Sequence, residues 1–550
     1  MGRVFVRIVT VVAAGCLAAA LYVPSLENPL IWDDPVHLEL ARSAPISELF
    51  GHPGGEYRRP LVLLSYRLQA AVGLDDPRSL HAANAALHGL NAALLAALAI
   101  RLGAGAMVGV AAALIFAFHP IQTAAVAYVS GRTDLLMLLL TLVSLHLVCG
   151  ERRALRARLG HREGELPRPS RLGAVRIARA TGVAVAIVGA ALAKEPGVLA
   201  GPLAAGLRVV TYRPAWRKFD PIVAAACVAT LVAVVLVTPP AAVATASVDW
   251  MTRLRDAGTT VVTFGELLVA PREFHLDRLT AVGPEPLAAV GALVAAAILA
   301  AIVWFTRQPT LARFCVFAAA LVYVPASNLI PVYPAIASRW VFTPEHFMYA
   351  PLAALAPLAA AVAYRFLGGL LGAFGTAGRT VAALSVLVIA ASVSALAARE
   401  IVARQHQLAD AETVYKTTLA HSPSPRACFN LGVLLLDRGL YEEAASVYRR
   451  CAQLSPNDPG VYVQLGVALQ KLGDPLRARM AYATAVRMAP DNALAWSNFA
   501  SLEASTGNYD AAREKWARAL RLDPGLEPAR RGLAKLKQVA SAGKHGRTSK

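Results

Sequence analysis

Long apolar runs recur along the first part of the chain and then stop. They begin at about Val4, and the last one ends at about Ala398. A helix needs roughly 20 apolar residues to cross the hydrocarbon core of a bilayer, and the runs predict about 11 crossings. The pattern therefore predicts an all-α protein in two parts, a polytopic membrane helix bundle over residues 1–398 and a soluble tail over residues 399–540.

The soluble tail contains an internal repeat with a period of 34 residues. Its landmarks are a small residue, an alanine, an aromatic residue and a proline: Gly432, Ala444, Tyr448, Pro456; Gly466, Ala478, Tyr482, Pro490; Ala500, Ala512, Trp516, Pro524. This is the tetratricopeptide period, in which small residues lie where two helices pack closely and proline follows the second helix. We predict an α-solenoid with repeats at about 425–458, 459–492 and 493–526, flanking helices, and a disordered basic end at 541–550.

Arginine-rich loops between the apolar runs predict the orientation of the bundle. The loop between Glu151 and Arg179 is the most basic and is expected in the cytoplasm. The alternation of crossings then places the loop with Asp33 and Asp34, and also the tail, on the extracytoplasmic side. The first apolar run should be a retained helix of a cell-membrane protein, because no small-residue cleavage site follows it.

One apolar run is broken in its middle by charged residues. Lys194-Glu195-Pro196 interrupts the run between Thr181 and Val210, and basic residues flank both of its ends. Because basic residues favour the cytoplasmic side, we predict a hairpin with Lys194 and Glu195 at its outer tip. Each arm is shorter than a full crossing, so the tip should lie below the membrane surface.

The composition agrees with a membrane protein and argues against nucleic acid as a partner. The hydrophobic fraction is 56% and the mean hydropathy is +0.50. The net charge is +19, but much of the excess lies in short loops, where it indicates topology. Cysteine spacing shows no metal-binding pattern, and a disulfide between Cys428 and Cys451 in the tail is left open.

The predicted topology brings ionisable side chains to one face of the membrane. They are Asp33, Asp34, Arg58, Arg59, His119, Arg132, Asp134, Lys194, Glu195, Arg339 and Glu345. Ionisable residues at membrane depth are functional candidates. Simpler interpretations stay open: a solvated loop for Asp33-Asp34, headgroup contacts for Arg58-Arg59, a structural ion pair for Lys194-Glu195, and a helix stop for His119-Pro120.

An outward cavity lined by carboxylates and cations suits the transfer of a group from a lipid-phosphate donor. A carboxylate such as Asp33 would accept the proton of an attacking hydroxyl group. Cations such as Arg58, Arg132, Lys194 or Arg339 would stabilise the charge on the departing phosphate. We expect no metal and no bound cofactor, because the sequence shows no cluster of metal ligands.

An ordered set of short motifs supports a family resemblance. The motifs are Trp32-Asp33-Asp34, Tyr57-Arg58-Arg59-Pro60, His81-x2-Asn84-x3-His88, His119-Pro120-x8-Ser130-Gly131-Arg132-x-Asp134, Lys194-Glu195-Pro196, Ser327-Asn328-Leu329-Ile330-Pro331 and Met348-Tyr349-x-Pro351. With this order and the tail, the chain resembles the GT-C superfamily of glycosyltransferases, and more closely the transmembrane-and-TPR protein O-mannosyltransferases. Glu345 departs from the family pattern, because His346-Phe347 stands where a compact Glu-Arg-Tyr-like run is usual.

The resemblance implies a fold, a reaction and site residues. It implies that Asp33 is the catalytic carboxylate with Asp34 beside it, and it adds Tyr349 to the substrate-binding candidates. It also implies that a hexose such as mannose passes from a polyprenyl phosphate to Ser/Thr hydroxyls of proteins held by the repeats. The alternatives are a non-enzymatic membrane scaffold and a transferase acting on a glycan or lipid. Charge recessed at Lys194-Glu195 favours an enzyme over a scaffold.

Overall fold

The structure is a computed structural model that divides into two compact units. They are Met1–Ala411 and Glu412–Lys550. The residues that the structure describes are 2–50, 59–149, 169–211, 220–237, 250–271, 276–282, 289–291, 293–298, 309–327 and 340–545. Arg58, Arg339 and the Asn328–Pro331 part of one motif lie outside the described residues, as does most of the basic loop that follows Cys149.

The first unit consists almost entirely of helices. They are α1 (Gly2–Ala20), α2 (Asp34–Ser43), α3 (Ile46–Leu49), α4 (Pro60–Ala71), α5 (Pro77–Arg101), α6 (Gly105–Phe118), α7 (Thr123–Val126), α8 (Arg132–Cys149), α9 (Pro169–Ala193), α10 (Ala200–Thr211), α11 (Pro221–Val237), α12 (Trp250–Val269), α13 (Pro309–Tyr323), α14 (Tyr349–Gly372) and α15 (Thr376–Gln407). Single turns of 3-10 helix cover Val23–Glu27, Pro120–Gln122, Val129–Gly131, Glu195–Leu199, Val324–Ser327 and Glu345–Met348. Many helices begin with proline, whose missing N–H would be unpaired in a first turn anyway.

Six helical spans of the described chain are long and apolar enough to cross a membrane, and the bent pair α6 and α7 would make seven. They are Pro77–Arg101, Val129–Cys149, Ala174–Ala193, Thr310–Ser327, Glu345–Gly372 and Gly378–Gln407. The polytopic helical architecture is therefore confirmed, whereas the predicted count of 11 crossings is not. The predicted break at Lys194 is present, because α9 ends at Ala193 and a 3-10 turn separates it from α10.

The stretch after α11 is partly helical. Residues 238–286 include the 20-residue helix α12. Four charged residues and several threonines interrupt its apolar positions, so hydropathy alone does not distinguish it from a polar loop. After it, strand β1 (Leu279–Ala281) pairs in antiparallel register with β2 (Trp340–Phe342).

Helices α1 and α5 cross at two glycines. A Cβ atom on Gly15 would lie 2.7 Å from the carbonyl oxygen of Gly89, and one on Gly89 would lie 2.4 Å from that of Gly15. The two backbones are thus in contact. Close approach at small residues is how helices associate in lipid, where burial of apolar surface gives no advantage.

The second unit is a stack of helix pairs, which confirms the predicted solenoid. Its helices are α16 (Ala411–His421), α17 (Pro425–Asp437), α18 (Tyr441–Leu454), α19 (Pro459–Leu472), α20 (Pro475–Met488), α21 (Ala493–Ser505), α22 (Tyr509–Leu522) and α23 (Glu527–His545). The repeated glycines allow close packing, since a Cβ atom on Gly432 would lie 2.5 Å from the ring of Tyr448. A disulfide between Cys428 and Cys451, left open by the sequence, joins the two helices of the first repeat.

Candidate functional site

Asp34 is a buried anchor for the loop that follows α1. One carboxylate oxygen accepts hydrogen bonds from the backbone N–H of Ser130 at 2.8 Å and from its hydroxyl at 2.6 Å. The other oxygen accepts the N–H of Ile31 at 3.2 Å. Burial raises the pKa of Asp34 from 3.8 to about 7, and the hydrogen bonds from Ser130 oppose the shift. Asp34 therefore ties the first loop to the start of α8.

Asp33 is held differently from its neighbour. Asp33 is half-buried, and its backbone N–H donates to the Tyr128 hydroxyl at 3.2 Å. The preceding residue, Trp32, has a left-handed backbone with φ of 60°. That conformation is strained for a bulky side chain and costs about 1–3 kcal/mol. Backbone strain of this kind persists where surrounding contacts impose it. Here the left-handed conformation of Trp32 sets the direction of the backbone at Asp33.

A histidine next to this pair was missed by sequence reasoning. The His37 Nδ1 atom lies 3.0 Å from the Ser130 hydroxyl. Because that hydroxyl gives its hydrogen to Asp34, it accepts one from His37, so Nδ1 carries the proton. His37 lies on α2, four positions after Asp33, which immediately precedes that helix, and this spacing is the signal that would have pointed to it. Serine stands between the acid and the histidine, which is not the order of a serine-nucleophile triad.

Arg132 is occupied by protein groups. Its guanidinium donates to the Asn84 side chain at 2.9 Å and to the Leu80 carbonyl at 3.0 Å, with further bonds to the Ser65 and Gln69 side chains. The Tyr66 ring lies 4.4 Å from the guanidinium carbon. These partners join α4, α5 and α8, and they make a packing role the direct interpretation of this arginine.

Lys194 forms a buried ion pair with Asp134. Its Nζ atom lies 2.7 Å from both carboxylate oxygens, and the two side chains are 6% and 4% exposed. The Phe347 ring lies 5.3 Å from the same ammonium group. Glu195 pairs instead with Arg59 at 3.4 Å, in a partly exposed contact. The interpretation of Lys194-Glu195 as one ion pair was therefore wrong, because the chain turns between them and gives each a separate partner.

Glu345 is bound by two arginines. Arg404 donates to one oxygen at 2.6 Å, and Arg278 donates to the other at 3.1 Å. Arg404 also donates to the Pro271 carbonyl at 2.7 Å. Sequence reasoning did not select Arg404, although an arginine near the end of the last apolar helix was a usable signal. This cluster joins α15 to the turn before α14.

His119 and Tyr349 are likewise committed to internal contacts. His119 accepts the N–H of Ile121 at Nδ1, at 3.2 Å, and donates from Nε2 to the Leu268 carbonyl at 3.0 Å. The buried Tyr349 hydroxyl lies 2.9 Å from the His88 ring and 3.2 Å from the Asn91 amide. His119 follows the end of α6 and Tyr349 begins α14, so these contacts hold the ends of the two helices.

A deep apolar groove ends at the Lys194–Asp134 pair. Its empty volume is about 1150 Å³, including space open to the exterior. Its walls are aliphatic and aromatic residues of α5, α8, α13 and α14, such as Leu142 and Phe314, while Asp134, Lys194 and Glu195 supply charge. In the described part of the chain, no group of three or more His, Cys, Asp or Glu residues is arranged to hold a metal ion.

The Asp34 contact and the Lys194 ion pair both involve the segment from Ser130 to Asp134. Ser130 holds Asp34, and Asp134 holds Lys194. These two residues are four positions apart, which is about one helical turn. The structure thus connects Asp33, Asp34, Asp134, Lys194, Glu195 and Arg59 through short links, while Arg132, His119, Glu345 and Tyr349 support the surrounding packing.

The helices and repeats define a multi-pass membrane protein with a tetratricopeptide tail. The family model described as Tetratricopeptide repeat matches residues 402–459 and 463–527. A solved domain, the first TPR of Spaghetti (RPAP3) bound to an HSP90 peptide, covers 21% of this chain at 20% identity with a TM-score of 0.21.

The chain is similar to the transmembrane-and-TPR protein O-mannosyltransferases, which confirms the expected resemblance. Protein O-mannosyl-transferase TMTC1 of Mus musculus is 29% identical over 149 residues, or 26% of this chain and 16% of that protein. Protein O-mannosyl-transferase TMTC2 of Homo sapiens is 33% identical over 109 residues, or 19% of this chain and 13% of that protein. The matched segments therefore span less than a fifth of these relatives' own length.

Proposed function

We propose that this chain is a membrane glycosyltransferase that moves a hexose, such as mannose, from a polyprenyl-phosphate donor to Ser/Thr hydroxyls of proteins. The observation that carries the proposal is the apolar groove that ends at Lys194–Asp134, one helical turn from the residue that holds Asp34. The partial similarity to enzymes named protein O-mannosyl-transferases supports the same reaction class.

The donor fits the groove by its chemistry. A polyprenyl chain is apolar and matches the aliphatic walls, while its phosphate needs a cation at the polar end. Lys194 is that cation, and Asp134 holds its ammonium group in place. As the bond to the sugar breaks, charge grows on the departing lipid phosphate, and a fixed ammonium group in a dry site stabilises it strongly. The phosphate leaves without needing a proton.

The acceptor hydroxyl would meet Asp33 at the groove mouth. Its carboxylate accepts the proton as the hydroxyl oxygen attacks the sugar carbon. Asp34, fixed by Ser130, keeps this loop in position. The repeats supply a tethered binding site for protein acceptors on the extracytoplasmic side, which raises the local acceptor concentration.

Reconstitution tests the proposal directly. The full chain is purified into nanodiscs and incubated with polyprenyl-phosphate mannose labelled in the sugar, together with an unfolded Ser/Thr-rich protein. We expect label on serine or threonine, released by β-elimination. Label on an added glycan or lipid alone would assign a different acceptor class. Absence of transfer to all three acceptors, from a chain that binds them, would instead favour a scaffold.

A further inference from the structure

The last membrane helix, α15, is buried only near its end. Most of its 32 residues are exposed, as lipid-facing positions would be. Among the side chains of α15 that the structure describes, those of Ile401, Arg404 and Gln405 are the buried ones, on one face of the last two turns. Burial of a polar side chain is costly unless it is hydrogen-bonded, so the contacts of Arg404 and Gln405 need an explanation. We call these two residues the terminal pair.

Gln405 holds the loop that follows α1. Its side-chain amide donates to the Leu21 carbonyl at 2.9 Å, and its backbone carbonyl accepts the Asn28 amide at 3.0 Å. Leu21 follows the end of α1, where the last backbone carbonyls have no partner inside the helix. Gln405 therefore supplies a donor that α1 itself lacks, and it fixes the loop again seven residues later.

The part of this loop that carries Asp33 is fixed on both sides. Asn28 binds Gln405 before it, and Asp34 binds the turn that precedes α8 after it, both through buried contacts. The left-handed backbone of Trp32 lies between these two points, and such strain persists where neighbouring contacts impose it. Loss of the contact at Asn28 would allow Trp32 to relax and would change the direction of Asp33.

Arg404 holds the turn at the end of the groove. It donates to Glu345 at 2.6 Å, and Glu345 begins the 3-10 turn that precedes α14. In the same turn, Phe347 lines the groove, and its ring lies 5.3 Å from the Lys194 ammonium group. The position of this groove wall therefore depends on the contact between Arg404 and Glu345.

We infer that the terminal pair positions the two sides of the proposed site. Gln405 positions the loop with the base Asp33, and Arg404 positions the turn whose Phe347 ring borders Lys194 at the end of the groove. The inference rests on the proposed function for what the two sides do. A purely structural anchor would give variants of the two residues the same defect, whereas positioning predicts two different defects.

Fluorine NMR of the full chain in nanodiscs, labelled with 5-fluorotryptophan, tests the contacts without any donor. Trp32 reports on the first loop, and Trp340 on β2 reports on the segment that continues to Glu345. Replacing each tryptophan by phenylalanine assigns the two resonances. We expect Gln405→Met to shift or broaden the Trp32 resonance alone and Arg404→Lys to shift that of Trp340 alone. Lysine keeps the charge opposite Glu345 but lacks the forked donors of arginine.

The matched control is Glu400→Gln. Glu400 contacts Arg404 at 2.9 Å, but its side chain is 43% exposed and the contact joins two turns of the same helix. Both resonances should stay unchanged in this variant. If Gln405→Met gives too little folded protein, Asn28→Ala removes the same contact from the loop side and should shift the Trp32 resonance as well.

Transfer kinetics of the folded variants give the second readout. Gln405→Met should lower kcat by about tenfold to a hundredfold at unchanged donor KM, since a small displacement of a reacting group costs that much. Arg404→Lys should instead raise the donor KM by about tenfold, because a wall of the donor groove moves.

The inference would be overturned if neither resonance moved, if the two variants shared one defect, or if both kept normal kcat and KM. A wild-type chain that transfers no sugar would refute the proposed reaction. The resonances would then still decide whether the terminal pair holds the two sides of the site.

Discussion

The membrane unit and the repeat unit differ in what they bury. Among the described residues, the first unit buries four acidic and four basic side chains: Asp34, Asp134, Asp277, Glu345, Arg132, Lys194, Arg208 and Arg404. In the described part of the repeat unit, Glu503 alone is a buried charged residue, and Arg479 pairs with it. A buried charge is costly unless it is paired and hydrogen-bonded. A solenoid that binds partners through its surface does not need a buried charge for that role.

The buried charges of the first unit fall into two kinds: some contact only protein groups, and others line the groove. Arg132 and Glu345 are surrounded by protein partners and hold helices together. Lys194 and Asp134 line the groove, and under the proposed function the donor phosphate would meet this pair. Burial alone therefore does not mark a functional group, and the proposed function assigns a role only to the buried charges that line the groove. The predictions below test this distinction.

The largest effect should come from Asp33→Asn. The amide keeps the shape of the side chain but cannot accept the proton, and loss of a general base costs about 10²–10⁴-fold in rate. Transfer of labelled mannose to protein is the measurement. Glu39→Gln, at an exposed carboxylate on α2, which begins directly after Asp33, is the control and should be fully active. Near-normal transfer by the Asp33 variant would mean that another residue is the general base.

Opening the groove ion pair should affect folding first and function second. Lys194→Met leaves Asp134 buried without its partner, at a cost of about 3–5 kcal/mol, so the yield of folded protein should fall. Lys194→Met with Asp134→Leu should restore folding, since an apolar pair of similar size is often tolerated. Because no cation then meets the donor phosphate, we expect transfer to stay low.

The matched control is a buried pair that does not line the groove. Arg208 contacts Asp220 at 2.7 Å between α10 and α11. Arg208→Met with Asp220→Asn keeps a residue able to cap α11 and should retain transfer. If the Lys194 double variant transferred sugar as well as this control, the groove pair would be structural only.

A smaller effect is expected inside the repeats. Gly466→Val places carbon atoms against the Tyr482 ring, where a Cβ atom would lie only 2.7 Å away. Overpacking of this kind costs about 1–3 kcal/mol. Limited proteolysis should show earlier cleavage of the tail, while binding of the lipid donor stays unchanged. Lys471→Val, exposed on the same helix, controls for the new valine; equal sensitivity of both variants would contradict the close helix packing.

The last prediction is a pH dependence of stability at Asp34. Its pKa is raised from 3.8 to about 7 by burial, so between these values the folded chain keeps a proton that the unfolded chain releases. Stability should therefore fall as pH rises through this window, by at most about 1.4 kcal/mol per pH unit, and level off above it. Asp34→Asn should remove this slope from thermal denaturation in detergent. An unchanged slope would assign the dependence to another group.

Local patterns predicted much of the fold and part of the site. Four landmarks at a fixed period located the repeats, and the charged break located the turn at Lys194. The partner of Lys194 was not predictable, since Asp134 lies 60 residues away and only helix packing brings them together. Likewise, the contact of Arg404 with Glu345 depends on how α15 lies against the turn before α14. His37 was missed because its one signal, the four-residue spacing from Asp33, is a single pair on a short helix and not a repeated pattern.

The groove is the central claim, and photolabelling tests it most directly. A polyprenyl-phosphate mannose carrying a photoreactive group in its lipid chain is bound to the full chain in nanodiscs, and labelled peptides are identified by mass spectrometry. We predict labelling near Leu142 and Phe314, competed by unmodified donor and lost in the double variant Lys194→Met, Asp134→Leu. Labelling confined to exposed positions of α15 such as Leu387, without competition, would mean that the groove holds no donor and would contradict the account.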